Sequence, residues 1–437
     1  MRPGSATAGR ASACQVSISD TRQRRKHRLV AVPSKNIRLL SRCDQGGRLD
    51  GVQIMAHKGH IIVGHMFADG FSVIDVRDPR NPKTVAFVAA PPNTRSHHLQ
   101  VHDDLLLVVN GPNVWAMQQY AKQQDYFDKP LADSFQQRAQ PFASGLRIFD
   151  ISNPANPREI SFLPVPGIGL HRIWYVGGRY AYVSAHLEGF TDHILAIIDV
   201  GDPARPALAG RWWLPGMWRA GGEAPAWPSG KRWALHHAIV AGNLAYGAWR
   251  DGGLTVHDVS DPTAPKLVSH RLLSPPFAGG SHTPLPLAGR NLVVLADEAT
   301  SVNCAAGTAY TWVFDVRDPA NPISIATLPT PAEEDFCAKG GKFGPHNLHE
   351  NRPGSLQSSN LIFATYHNAG VRVFDIADPF APKQVGYFVP PPPEQLVDIR
   401  PGSVKVIQSC DAYVAPDGVM YVTDTNAGLY ILQYEGH

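Results

Sequence analysis

Five histidines occupy the same position in five successive copies of one sequence repeat, at the start of an apolar run. They are His97, His171, His236, His282 and His346. Two further copies carry an acid there, Asp50 and Asp411. Imidazole nitrogens and carboxylate oxygens are good ligands for transition-metal ions. If the repeats are arranged in a ring, these seven positions meet at one mouth and predict a metal site formed by the five histidines.

The predicted ligand set is rich in histidine, which favours Fe, Cu or Zn over Ca or Mg. Ligands in adjacent repeats are the easiest to bring together, so the arc His171, His236, His282 and His346 is the preferred set. Ligating histidines need polar neighbours that orient them, and the predicted neighbours are Asp50, His65, His98, His186, His237, His349, His367 and Asp424. The predicted catalytic residues, which would move protons or hold an anionic group, are Asp297, Glu298, Asp411 and Arg250.

The repeat itself is marked by an Asp-Pro or Asn-Pro step that begins at Asp78, Asn153, Asp202, Asp261, Asp318 and Asp378. Each step follows a short apolar run with an embedded acid, as in FSVIDVRDP and TWVFDVRDP. The embedded acids are predicted to hold turns and not to do chemistry; they are Asp75, Asp150, Asp199, Asp258, Asp315 and Asp375. Repeats of about 40–60 residues are typical of propellers and related arrays.

Within one repeat, four short runs rich in β-branched residues are separated by Gly, Asn and Pro turns, best seen between residues 236 and 270. Four antiparallel strands per repeat are typical of a propeller blade. Seven inner strands are counted, and the last copy lacks its outer strand. We therefore predict an all-β, seven-bladed β-propeller over residues 36–437, closed by a strand that begins at Asn36 and completes the last blade.

The repeated runs resemble those of the LVIVD repeat family, over about residues 36–435. The resemblance implies the propeller fold and specifies no activity. Several imidazoles on a propeller axis are similar, in architecture alone, to the iron site of carotenoid cleavage oxygenases and to the metal-dependent selenium-binding or methanethiol oxidase propellers.

Long insertions are predicted to crowd the face that carries the histidines, at residues 111–143, 214–233, 299–309, 331–345 and 389–409. The first contains WAMQQYAKQQDYF, which predicts a short aromatic helix. Long loops on one face of a rigid scaffold are typical of a functional face, and an aromatic one is suited to form a lid.

Charge is distributed unevenly, because residues 1–35 carry eight Lys or Arg and one Asp, against 32 bases and 36 acids elsewhere. This segment is expected to be a disordered tail, with a transit-like or nucleic-acid-binding tail as alternatives. The mildly acidic remainder predicts no nucleic-acid partner. The absence of a secretory signal and of a long apolar run favours a cytoplasmic protein without a membrane partner. Cys304 and Cys337 lie near enough in the repeat to pair, but free thiols in a reducing cytosol are the expectation.

No GxSxG, HExxH, P-loop or GxGxxG motif is present in a suitable context. The sequence therefore favours a metal-dependent enzyme acting on a small organic substrate, an oxidase or oxygenase first. A metal-dependent hydrolase or lyase on the same site is the first alternative. The second is a non-catalytic propeller that binds a ligand or a protein. The sequence does not specify the oligomeric state.

Overall fold

Short antiparallel strands follow one another through the computed structural model, which describes residues 32–135 and 140–436. The predicted N-terminal tail falls almost wholly outside these residues. In the first half of the chain the strands are β1 (Ser34–Lys35), β2 (Ile37–Cys43), β3 (Ile54–His57), β4 (His60–Gly64), β5 (Gly70–Asp75), β6 (Lys83–Ala89), β7 (Thr94–Arg95), β8 (Leu99–His102), β9 (Leu105–Pro112), β10 (Gly145–Asp150), β11 (Arg158–Pro164), β12 (Gly169–Trp174), β13 (Tyr180–His186), β14 (Ile194–Asp199) and β15 (Ala207–Trp212).

The second half continues the same pattern. Its strands are β16 (Trp233–Ala241), β17 (Leu244–Arg250), β18 (Leu254–Asp258), β19 (Lys266–Arg271), β20 (Ser281–Leu287), β21 (Leu292–Asp297), β22 (Thr311–Asp315), β23 (Ile323–Thr327), β24 (Leu361–Thr365), β25 (Val371–Asp375), β26 (Lys383–Phe388), β27 (Ser409–Val414), β28 (Val419–Asp424) and β29 (Gly428–Tyr434). The helices are α1 (Val114–Met117), α2 (Gln124–Phe127) and α3 (Leu131–Ser134), with 3-10 turns at Arg219–Gly221 and Ala288–Arg290.

The strands pair as four-stranded antiparallel units in chain order. Five units are contiguous in sequence: β3–β6, β8–β11, β12–β15, β16–β19 and β20–β23. In the next, β24–β26 continue to β1, and the innermost strand is reduced to a bridge between Leu348 and Ala364. In the last, β27–β29 continue to β2. Six units of the described residues are thus four-stranded from the inner to the outer strand, and the predicted all-β propeller class is confirmed.

The N-terminal segment completes the last unit, as predicted. Strand β2 pairs antiparallel with β29, from Ile37 opposite Tyr434 to Cys43 opposite Leu429. Pairing begins two residues before the predicted boundary, because β1 adds to β26 of the neighbouring unit. The segment therefore covers the outer edges of two adjacent units, which would otherwise expose unpaired backbone groups.

The embedded acids hold turns, which confirms the role predicted for them. The carboxylate of Asp75 accepts the backbone N–H of Arg77 at 3.1 Å, and that of Asp315 accepts the N–H of Arg317 at 3.0 Å. The Asp of the following Asp-Pro step repeats the same contact, as Asp78 does with the N–H of Arg80 at 3.0 Å. Asx turns of this kind explain why Asp and Pro recur at these positions.

The cysteines correct one expectation. Cys304 and Cys337 form a disulfide with their Cα atoms 5.5 Å apart, so the expectation of free thiols at these positions is wrong. The bond joins two of the insertions predicted on the histidine-bearing face. Disulfides are typical of oxidising compartments, so this finding weighs against the predicted cytoplasmic location. Among the described cysteines, Cys410 is a buried free thiol. None of the helices in the described residues has the length and apolarity needed to cross a bilayer.

His257 occupies a core position that other repeats fill with Phe149, Phe314 or Phe374. Its side chain is 1% exposed, its ring lies 4.3 Å from that of Trp212, and its Nε2 has no hydrogen-bond partner. Burial lowers the pKa of His257 from 6.5 to about 3. The imidazole is therefore neutral in the folded protein.

We expect His257→Phe to make the protein less sensitive to acid. Because the folded pKa lies below the unfolded one, the stability contributed by neutral His257 is lost as the pH falls from 6.5 towards about 3. The loss at pH 5 amounts to about 2 kcal/mol for this one group. Urea midpoints of both proteins at neutral pH and at about pH 5 provide the measurement. Equal acid-induced shifts in parent and variant would contradict the prediction.

Candidate metal centre

Irregular pairing at the start of the inner strands positions the histidines. The register between inner and second strands shifts between Leu170 and Ile173, between Trp233 and His237, and between Ser281 and Thr283. His171, His236 and His282 lie within these interruptions. A bulge bends a strand and redirects its side chains, and such features are common beside functional sites. Because of these interruptions, the three imidazoles do not follow the regular alternation of side chains between the two faces of the sheet.

The five predicted ligands form one continuous row of rings, of which His97, His236 and His282 are buried and His171 and His346 are half-buried. Ring centroids are 5.0 Å apart for His97 and His171, 4.8 Å for His171 and His236, 3.5 Å for His236 and His282, and 4.6 Å for His282 and His346. The row continues to His367, whose ring lies 4.7 Å from that of His346. The histidines of successive repeats are thus brought into contact.

A cavity of about 60 Å³ lies against this row. Its lining includes His98 and His367 together with the four histidines of the preferred arc, His171, His236, His282 and His346. His97 does not line it. A cavity of this size has room for a few water molecules or a small ligand.

The insertion after β9 covers the cavity with aromatic side chains, as predicted for a lid. It forms the helices α1, α2 and α3, and Trp115, Tyr126 and Phe127 line the cavity. The rings of Trp115 and Tyr126 lie 4.9 Å apart. Lys342 Nζ lies 4.3 Å from the centre of the Phe127 ring. The lid therefore contacts both the cavity and the insertion at 331–345.

Hydrogen bonds orient three of the imidazoles for coordination. His236 Nδ1 lies 2.9 Å from the carbonyl oxygen of His282, and His346 Nδ1 lies 2.6 Å from that of Cys410. His282 Nδ1 lies 2.9 Å from Thr283 Oγ1. A carbonyl oxygen only accepts, so Nδ1 of His236 and of His346 carries the proton and Nε2 keeps its lone pair. This arrangement is typical of metal-ligating histidines.

Burial keeps these rings neutral, which is the protonation state that a metal ligand needs. It lowers the pKa of His346 from 6.5 to about 4, and places the pKa values of His236 and His282 well below their usual range. Neighbouring cations, among them Arg250 and Arg172, lower the last two further.

Two groups of three side chains have ligand atoms close enough to share an ion. One is His282, Glu298 and His346, and the other is His97, His98 and His171; in each, the ligand atoms lie within 4.8 Å of one another. Metal–nitrogen bonds of about 2.1 Å place opposite ligands about 4 Å apart. Small side-chain adjustments are therefore enough for either group to bind a metal ion. His236 lies between the two groups.

Glu298 is held as an ionised carboxylate. Its two oxygens contact the Arg250 guanidinium and Lys342 Nζ, the latter at 3.3 Å. Burial alone would raise the pKa of Glu298, but Arg250 and Lys342 outweigh it and hold the pKa well below its usual range. A carboxylate in this state is suited to bind a cation and is a weak proton acceptor near neutral pH.

The group around His97 is less suited to a cation. Arg172 is completely buried. It donates hydrogen bonds to His98 Nδ1 at 3.0 Å and to Glu350 Oε1 at 2.7 Å. With Nδ1 of His98 accepting, its Nε2 carries the proton and is not a ligand. His97 Nε2 and His171 Nδ1 share a hydrogen bond of 3.1 Å, which occupies one lone pair.

Solved structures of similar shape are propellers. The chain matches the WD40 β-propeller domain of Doa1 with a TM-score of 0.54 at 8% identity, covering 92% of this chain and 98% of that one. It matches a hypothetical selenium-binding protein from Sulfolobus tokodaii at 0.51 and 14%, covering 93% and 92%. The β-propeller domain of Cps50 (Swd1) from Myceliophteria thermophila gives 0.50 and 9%, covering 88% and 97%. At these identities the likeness concerns the fold alone. A search of curated protein sequences finds no match.

The model of the LVIVD repeat matches residues 142–162, 172–212 and 237–271. The chain is a β-propeller that contains LVIVD repeats. The matched residues comprise outer strands, inner strands and Asp-containing turns of the second, third and fourth units, and the resemblance predicted from the sequence is confirmed.

Several predicted site residues of the LVIVD-repeat propeller hold loops beside the cavity instead of lining it. Asp297 accepts from Ser281 Oγ at 2.9 Å and from Trp312 Nε1 at 2.7 Å, which ties β20 and β22 to β21. Asp411 accepts the N–H of Ile54 at 3.2 Å. Asp424 accepts the N–H of Gln408 at 2.7 Å. Burial raises the pKa of each of these three carboxyls to about 7.

Five of the residues predicted to orient the ligands bond to, or contact, other parts of the protein instead. Asp50 accepts the N–H groups of Met66 and Phe67 at 2.8 and 2.7 Å, and His65 bonds to Ser72 at 2.8 Å. His237 Nε2 lies 3.1 Å from Glu350 Oε1. The same description fits the remaining two: His186 Nδ1 accepts the N–H of Ile168, and His349 bonds to the carbonyl of Leu356.

Two second-strand ends with unusual backbone face the cavity. Arg250 ends β17 and His367 follows the end of β24 by two residues, with φ values of 52° and 42°. Residues with side chains rarely adopt this left-handed conformation, and its persistence in a rigid scaffold is typical of functional sites. Nε2 of His367 is buried without a hydrogen-bond partner, so it remains available to a ligand.

Sequence reasoning missed His193, which stands out of register with the repeated histidines. Its ring lies 5.5 Å from that of His171, and its Nδ1 lies 2.8 Å from Asp192 Oδ1. It belongs to the loop after β13. The location of that loop, between second and third strands and therefore on the histidine-bearing face, was the signal available in the sequence.

Asp192 connects the lid to the propeller body. It accepts the N–H of Leu131 at 2.7 Å, at the start of α3, and it pairs with Arg232 Nε at 2.7 Å. Arg232 in turn lies over the ring of Tyr126 at 4.8 Å. Both charged side chains are buried.

We expect Asp192→Asn to loosen the lid, because it leaves the Arg232 guanidinium buried without its counter-ion. The cost of such a change is about 3–5 kcal/mol. Hydrogen exchange at residues 114–134 should accelerate. Asp133→Asn is the matched control, since it breaks an exposed pair with Arg219 worth about 1 kcal/mol or less. Equal exchange in the two variants would contradict this role of Asp192.

Proposed function

We propose that this LVIVD-repeat propeller is a metalloenzyme in which His282, His346 and Glu298 bind one transition-metal ion. The observation that carries the proposal is the meeting of two oriented, neutral imidazoles and one ionised carboxylate at a lidded cavity. His236, stacked 3.5 Å from His282 with its Nε2 available, is the fourth candidate ligand. Compared with the predicted arc of four histidines, the proposed ligand set omits His171 and adds Glu298.

Two histidines and one carboxylate with open positions are the ligand set typical of non-haem Fe(II) proteins that use O2. The metal, when bound, would supply the activation of O2 for oxidation of a small organic molecule. This chemistry ranks iron first among the predicted Fe, Cu and Zn. The predicted catalytic residues take different parts in the proposal: Glu298 ligates, Arg250 holds Glu298, and Asp297 and Asp411 support the loops.

The residues of the chain supply the surroundings that such chemistry needs. Arg250 and Lys342 fix the carboxylate of Glu298 and prevent it from taking up a proton. Trp115, Tyr126 and Phe127 separate the cavity from bulk water, which protects a reactive centre from side reactions. The substrate is a small molecule, because the cavity measures about 60 Å³.

We expect His282→Ala and His346→Ala each to lose at least about tenfold in metal affinity, since each removes one of few ligands. Elemental analysis of the protein, purified without a His tag or added metal, measures the content per chain. His237→Gln is the matched control: it alters another buried histidine, next to His236 on β16, whose side chain contacts Glu350 and does not line the cavity. It should retain the metal.

The identity of the metal then directs the assay. Iron or copper, with substrate-dependent O2 consumption that is lost in His282→Ala, supports the oxidase or oxygenase. Zinc, with turnover that does not consume O2, would instead support the hydrolase or lyase. A chain that holds no metal and takes none up on reconstitution would overturn the metalloenzyme and leave a ligand-binding propeller.

A further inference from the structure

Arg95 is a buried guanidinium that faces the cavity without an anionic partner. It lies on β7, two residues before His97, is 4% exposed and lines the cavity. Its Nε has no hydrogen-bond partner, and the one contact of its terminal nitrogens is with Met66 Sδ. A thioether sulfur is a weak acceptor, so the guanidinium retains most of its capacity to donate.

The other cations that line the cavity are already paired. Arg250 contacts Glu298, and Arg400 donates to Asp398 Oδ1 from Nε at 2.8 Å. Asp69, which interacts with Arg95 electrostatically, is itself bonded to Asn113 Nδ2 at 2.7 Å. No direct ion pair therefore neutralises the positive charge that Arg95 adds to the cavity, where a metal ion would add more.

A buried charge without a partner is costly, and proteins rarely keep one that has no ligand to bind. The guanidinium fork matches the two oxygens of a carboxylate in a planar, bidentate pair. A phosphate would offer further oxygens and charge, but among the described lining residues no second unpaired cation is available for them. The residues that line the cavity thus favour a ligand with a single carboxylate group.

We infer that Arg95 binds the carboxylate of a small organic substrate and holds it beneath the aromatic lid, beside the metal centre. The inference rests on the proposed function for the role of the substrate, but the anion site itself is defined by Arg95. Trp115 and Tyr126 cover the apolar part of the molecule. Arg250, which the sequence predicts to hold an anionic group, instead pairs with Glu298.

Carboxylates and their neutral amides test this site in the protein as purified with its metal. Propanoate and benzoate should raise the melting temperature in a concentration-dependent manner. Propanamide and benzamide, which have the same shape but no charge, should bind at least about tenfold more weakly. Equal binding of acid and amide would overturn the inference, as would phosphate binding that is tighter than either carboxylate.

Variants assign the effect to Arg95. Arg95→Met, which keeps the length of the side chain without its charge, should weaken propanoate binding at least about tenfold, and Arg95→Lys should weaken it less. Arg219→Met removes an exposed guanidinium of a neighbouring insertion and should leave binding unchanged. Unaltered propanoate binding in Arg95→Met would overturn the inference.

The metal content of Arg95→Met separates this site from the proposed function. It should equal that of the parent, since Arg95 is not a ligand. Arg95-dependent carboxylate binding by a chain that takes up no metal would sink the metalloenzyme but keep the anion site. Metal binding at His282 and His346 without any carboxylate binding would support the metal centre but overturn the anion site.

Discussion

The antiparallel pairing of β2 with β29 joins the two ends of the described chain, and the geometry of the centre depends on it. A propeller whose last unit lacked its outer strand would leave an open edge and would not hold its first and last units in contact. With the ring closed, inner strands that start hundreds of residues apart face one axis. The row of imidazoles from His97 to His367 runs through five successive units of that ring.

Crowding at the axis determines the chemical state of the centre. The starts of the inner strands converge there, so the imidazoles of His236, His282 and His346 lose contact with water and remain neutral near physiological pH. Neutral imidazoles tolerate this crowding, whereas protonated ones would repel one another. Their remaining polar atoms bond to backbone carbonyls such as that of Cys410, which leaves Nε2 directed towards the cavity. A group of neutral rings with free lone pairs is a site that gains stability from a bound cation.

Charge is balanced differently in the two halves of the centre. Near His282 and His346, the carboxylate of Glu298 is shared by Arg250 and Lys342 and offers negative charge to a metal. Near His97 and His98, the cations Arg95 and Arg172 dominate, and the former has no acid beside it. The same cavity is thus suited to a cation on one side and to a carboxylate on the other. This division is the basis of the proposed enzyme and of its proposed class of substrate.

Local sequence patterns were sufficient for the repeat, the strands and the turns. The carboxylates of Asp75 and Asp315 each accept a hydrogen bond from the backbone N–H two residues later. A contact of this kind can be predicted wherever the motif recurs in the sequence. The alternation of apolar residues gave the strands, and the in-register histidines indicated the axial cluster. The arc from His171 to His346 meets as predicted, since equivalent residues of a ring of repeats must lie on one circle.

The amino-acid sequence by itself determined the repeat, the propeller and the circle on which the histidines lie, because these follow from short-range periodicity. Only the tertiary structure decided which polar residues share a cavity and which pair with each other. Glu298 pairs with Arg250 and Lys342, Asp297 pairs with Ser281 and Trp312, and Arg95 has no acidic partner. His193 joins the cluster from a loop outside the register. Such contacts depend on side-chain directions and loop paths across separate repeats, and periodicity along the chain contains no information about them.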